Sequence, residues 1–182
     1  MPLESHLERL QREIAAAVEG LSAERLGWSP PGKWCAAEVL EHLYLSYTGT
    51  IKGCHRVADG EALVTRSTFG HRWRTMVVVE LGYFPSGRKT PKVANPRGLP
   101  RDKVLAEIGP KIAEMDALIR LCEEKLGRRA KLMDHPALGP LNGRQWRKFH
   151  LIHGLHHVKQ IQALRVGSQN EREKPLTAKI AK

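Results

Sequence analysis

Four histidines fall within the twelve residues "FHLIHGLHHVKQ", 149–160: His150, His153, His156 and His157. An imidazole moves a proton near neutral pH, and its neutral ring nitrogen ligates divalent metals. On a helix with about 100° per residue and Trp146 at zero, His150 lies near 40°, His153 near −20° and His157 near 20°. These three form one stripe between Trp146 and Leu164. His156 lies about 80° to one side, at the edge of the stripe or in solvent. His153 and His157 are an i, i+4 pair, so both rings can reach one ion. Two structural histidines could share that spacing, so a metal site needs a ligand from elsewhere.

His42 supplies it. It lies in "WCAAEVLEHLYLSYTGT" among Val39, Leu40 and Leu43, which turns it inward. Its face continues to Ser46, Gly49 and Gly53, and small residues along a core stripe read as a pocket. The alternative is that the glycines admit a close helix contact while His42 bonds a backbone carbonyl. Taken together, His42, His153 and His157 make a three-nitrogen metal site. Zn²⁺, Ni²⁺ and Fe²⁺ all accept imidazole, so ligand type does not choose among them. Three protein ligands leave a position for water or substrate, as in catalytic sites. Glu38 and Gln160 are candidate acceptors for the second ring nitrogens; the alternatives are a solvated carboxylate and a cap at the bundle end. His150, one turn from His153, is the candidate catalytic residue, as a proton shuttle, or else a packing histidine.

Helices must position these rings. Leu3, Leu7, Leu10, Ile14 and Val18 mark one face of a first helix that Gly20 ends. "GWSPPGKW" must be a loop, because paired prolines break a helix. A second helix is expected from about Trp34 to Val57. A third carries Ile108, Ile112, Met115, Ile119, Cys122 and Leu126 on one face and stops at Gly127. The fourth starts at "LNGRQW", where Asn142 and Gln145 fit a capping box, and is expected to end at Val166, before Gly167. The stretch from Ala58 to Lys103 carries at most a short helix within "TFGHRWRTMVVVELGYF". The expected fold is all-α: a four-helix bundle with a long crossover between helices 2 and 3. The bundle should occupy residues 1–167, with 168–182 a flexible basic tail.

Composition agrees with that class. The chain has 182 residues, 41% apolar and only 5% aromatic, enough for one domain with a sizeable core. No apolar run approaches the roughly 20 residues needed to span a bilayer, and the start does not read as a secretory signal. Cys35, Cys54 and Cys122 are scattered and odd in number, which suits reduced thiols in a cytoplasmic protein. Cys35 lies about two turns before His42, with nothing to mark it as a nucleophile. The net charge is +11. Residues 85–103 hold six Lys/Arg against one Asp, and 168–182 hold four against two acids, so much of the excess lies on predicted loop and tail.

"W-x-x-x-E-V-L-E-H-L" at Trp34–Leu43 and "H-G-L-H-H-V-K-Q" at His153–Gln160 resemble the DinB-like superfamily of small bacterial metal-binding four-helix proteins. "HPALGPLNGRQW" looks like the lead-in of one uncharacterised subgroup. The resemblance covers about Pro2 to Val166. It implies a divalent metal held by His42, His153 and His157. It also implies a thiol-dependent transferase, with a low-molecular-weight thiol as co-substrate, or a hydrolase. His150 and His156 lie outside that triad.

The leading expectation is therefore a metal-dependent enzyme in which a bound cation activates water or a thiol, acting on a small-molecule substrate. Oligomeric state is not legible, and a homodimer is compatible. The second reading is a metal-binding or scaffold protein without turnover, since no acid/base pair beyond histidine stands out. The third is nucleic-acid binding through the basic crossover. It ranks last because no base-reading helix motif is present and a basic run is more often a solvated loop.

Overall fold

Ser5 opens the first helix by a reciprocal cap: its Oγ accepts from Glu8 N, and Glu8 Oε2 accepts from Ser5 N. The computed structural model describes residues 4–84 and 90–173, with side chains through Ser168. Leu3 of the first stripe, 85–89 of the basic segment and 174–182 of the tail lie outside the described residues.

Helix α1 runs His6–Val18, the short α2 Ala23–Gly27, α3 Ala36–Ala58, α4 Phe69–Thr75, α5 Arg101–Leu126 and α6 Gly143–Glu173. A π-helical turn, Met76–Glu80, continues α4, and a 3₁₀ turn, Lys92–Ala94, lies in the long connection before α5. The protein is mostly helical. The long helices pack α1 against α6 and α3 against α5, with α3 also touching α6. Leu7, Leu10 and Ile14 of α1, Leu40, Leu43 and Tyr47 of α3, and Ile112, Met115 and Ile119 of α5 meet in the core. Leu126, the last residue of the α5 stripe, is instead half exposed at the helix end.

Three features differ from expectation. First, strands β1 (Lys131–His135) and β2 (Gly139–Asn142) form an antiparallel hairpin just before α6. Leu132, Met133, Leu138 and Leu141 bury its inner face. Such short strands, one containing Pro140, carry too little alternation to register as β pattern.

Second, α6 does not stop at Gly167. A Cβ there would approach Trp28 Cη2 to 2.9 Å, so the glycine serves close packing of an indole rather than a cap. Gly127, with φ of +92°, does end α5 as expected.

Third, the small residues beyond His42 do not open a pocket. Met133 fills the space over Gly53, while Gly49 is exposed and faces open space. Ser46 Oγ donates to the His42 carbonyl at 2.9 Å.

Two anchors orient α6. Asn142 Oδ1 accepts from Gln145 N at 2.9 Å, and Gln145 Oε1 accepts from Asn142 N at 3.2 Å, the capping box expected at its start. Arg147 then reaches back to α5, pairing with Asp116 at 2.5 Å and Glu123 at 2.8 Å, all three side chains less than a fifth exposed. A charge clasp this sheltered holds the rotation of α6, and so the direction in which its histidines point.

Candidate metal centre

His42 on α3 and His153 and His157 on α6 meet with their Nε2 atoms together. His153 Nε2 lies 3.1 Å from His42 Nε2 and 3.0 Å from His157 Nε2. One ligand atom from each ring lies within 4.8 Å of the others. All three rings are buried, at 4%, 7% and 7% exposure.

The outer ring nitrogens set the tautomers. His42 Nδ1 is 2.9 Å from the Ala94 carbonyl, which can only accept, so Nδ1 carries the proton. His157 Nδ1 likewise donates to Gln160 Oε1 at 2.8 Å. The Gln160 amide agrees with this, since its Nε2 faces His156 Nε2 at 3.2 Å and donates to it. His42 and His157 therefore turn bare Nε2 lone pairs toward His153. A single proton on His153 Nε2 can serve only one of them.

Three imidazole nitrogens converging in this way are a group that could hold a divalent cation. With metal–nitrogen bonds near 2.1 Å, neighbouring ligand atoms stand about 3.0 Å apart in octahedral and about 3.4 Å in tetrahedral coordination. The observed spacing is close to both. Burial supports the ligand state as well. It pushes the basicity of all three rings down, His157 to about 4, and each ring's neighbours in the cluster add to the effect for His153 and His157. The lowered basicity favours the neutral form that metal binding requires.

The segment before α5 holds His42 in place. Glu41, 3% exposed, accepts from Arg97 N at 2.6 Å and from Gly98 N at 3.1 Å. That fixes the strap carrying Ala94 over α3. Glu38 has a different task from the one anticipated: its Oε2 accepts from Cys35 N at 2.8 Å and caps α3. The acceptor for His42 is a backbone carbonyl, as the alternative reading of that ring had it, and the fold supplies it from Ala94. For His157 the acceptor is Gln160, one of the two candidates.

His150 lies on α6 outside the convergent set. It is 1% exposed, with Nε2 at 2.9 Å from Thr50 Oγ1 and the ring against Tyr47 and Trp146. Burial pushes it down to about 3. His156 is half-buried at the edge of the stripe, with Phe84 tilted against both it and His153 at ring-centroid distances of 5.1 and 5.2 Å. His135 escaped the sequence reading because it sits on the unanticipated hairpin. Its Nδ1 accepts from the amides of Ala137 and Leu138, and its ring packs 4.4 Å from Phe149.

A family model described as "Protein of unknown function (DUF1569)" matches residues 4–163. The chain belongs to the DUF1569 family. The match takes in α1, the hairpin and all three converging histidines of this DUF1569 chain. No curated protein and no solved structure matches it.

The chain's own thiols are poor nucleophiles. All three cysteines are buried and unpaired by disulfides. Burial raises each thiol, Cys54 to about 12. Among the described residues no helix is long and apolar enough to cross a membrane.

Proposed function

We propose that this protein is a divalent-metal-dependent enzyme of the DinB-like type, built as a four-helix bundle of α1, α3, α5 and α6, cytoplasmic, with His42, His153 and His157 as ligands. The observation that carries the proposal is the convergence of three Nε2 atoms, two of them left bare by hydrogen bonds at the far side of their rings. Zn²⁺, Ni²⁺ and Fe²⁺ each suit such a donor set.

Bound there, the cation would lower the pKa of a water or a low-molecular-weight thiol and so supply a nucleophile near neutral pH. The residues' own parts are separate. Ala94 and Gln160 hold the rings of His42 and His157 in one tautomer. Glu41 keeps the Ala94 strap seated. Phe84 and Trp34 flank His153 and His42 and limit water. The raised cysteines leave the nucleophile to come from solvent or co-substrate. His150, neutral down to about pH 3, is poorly matched to moving a proton at neutrality. Its place in the proposal is as a packed neighbour one turn from His153, tied to Thr50.

The second reading, a metal-binding protein without turnover, is favoured by one observation. The acids nearest His42 in sequence, Glu38 and Glu41, are both committed to backbone amides, which leaves no carboxylate base among the described residues that bonds the three rings.

Metal analysis of tag-free protein tests both readings. One ion per chain is expected, lost in His42→Ala and His153→Ala and retained in His156→Ala. No metal under any reconstitution would overturn both. Thiol consumption or hydrolysis assays on the loaded protein then separate enzyme from binder.

A further inference from the structure

Beside the metal centre, α1, α6 and the segment after the π-helical turn enclose a groove of about 430 Å³. That volume suits a small molecule. Its floor is apolar: Phe84, Ile152, Leu155 and Val158. Two cations, Arg9 from α1 and Lys159 from α6, line it as well. Neither makes an ion pair among the described residues. The acid in the groove, Glu13, lies 3.2 Å from Arg12, a guanidinium it shares with Glu4. The two cations of the lining outnumber its one acid, so the groove offers apolar contact together with a net positive charge.

Its inner end meets the metal centre. Phe84 lines the groove and packs on His153, while His156 lines the groove and packs edge-on against His157 at 5.2 Å. We propose that this groove binds an organic carboxylate with an apolar body, its headgroup held by Arg9 and Lys159 and its apolar end against Phe84. A second copy of the chain fits less well, since it would bring another +11 to a site whose net charge is already positive. The proposal rests on the metal reading only for what the ligand is delivered to; occupancy of the groove is independent of it.

Octanoate is the probe, titrated calorimetrically into the full chain with and without metal, beside octylammonium at the same concentrations. One octanoate per chain is expected in both forms, with octylammonium at least tenfold weaker. Arg9→Glu and Lys159→Glu, both on exposed positions that leave the core intact, should each weaken octanoate about tenfold or more, as loss of a charge-assisted contact does. Chemical-shift changes should centre on Ile152 and Phe84. Absence of octanoate binding would overturn the proposal. So would equal binding of octylammonium, or reversals without effect. A failed metal reading would show instead as missing metal with octanoate binding unchanged.

Discussion

His42 and Ala94 are 52 residues apart in sequence, yet the His42 Nδ1–H donates to the Ala94 carbonyl at 2.9 Å. The contact makes the strap between Lys92 and Gly98 part of the proposed metal centre. It orients a ring whose other nitrogen faces two histidines from α6. The strap is held by Glu41, the residue just before His42, so one turn of α3 supplies both the proposed ligand and the anchor for its acceptor.

Glu41→Gln should therefore loosen the metal without removing a ligand. The substitution turns one acceptor into a donor facing a backbone N–H, which costs about 1–3 kcal/mol where the group is buried. Metal affinity should fall about 10–100-fold, as when an outer partner of a ligand is lost. Competition against a chromogenic chelator measures it. An unchanged affinity would mean that the strap does not govern His42.

Gln160→Leu removes the acceptor for His157 Nδ1–H from an exposed position. Thermal stability should hardly change, while metal affinity drops by about tenfold or more. Gln160→Glu keeps an acceptor, and a stronger one, so it should restore or raise affinity. Equal losses in both variants would show that the acceptor is not what matters.

Neutral histidines, His150 buried and His135 partly so, also set the acid limit of the fold. Burial pulls His135 to about 4 and His150 to about 3, against about 6.5 in an unfolded chain. Below pH 6.5 the unfolded state binds protons that the folded state refuses, so stability falls as pH falls. The loss continues to about pH 4 for His135 and about pH 3 for His150. Each histidine contributes a slope of up to about 1.4 kcal/mol per pH unit. Denaturant unfolding of metal-free protein at pH 7, 6 and 5 reads this slope, and His150→Gln should make it shallower. A flat profile would contradict the neutral, buried assignment.

Gly154→Ala separates helix propensity from packing. Alanine is favoured over glycine in a helix by about 1 kcal/mol. A Cβ at 154, however, would collide with Leu10, which is fully buried on α1 and has nowhere to swing. Overpacking costs about 1–3 kcal/mol, so the variant should melt a few degrees lower. A higher melting temperature would show that α1 and α6 can move apart freely.

Local chemistry determined the helices in this chain. The apolar steps of Ile108, Ile112, Met115 and Ile119, the Asn142–Gln145 cap and the stop at Gly127 all act within a few residues, so they could be read along the sequence. The stripe of His150, His153 and His157 and the inward turn of His42 follow from the same periodicity, which is why the three converging rings were legible as candidates. Tertiary structure decided what those patterns leave open. The Ala94 acceptor is a backbone atom brought in by the fold. Met133 closes the space over Gly53 from a hairpin too short to announce itself. Gly167 spaces a helix for Trp28 instead of ending it, and Thr50 takes one nitrogen of His150, the candidate proton shuttle. In each case the partner comes from a distant part of the chain, and only packing chooses between two uses of the same residue.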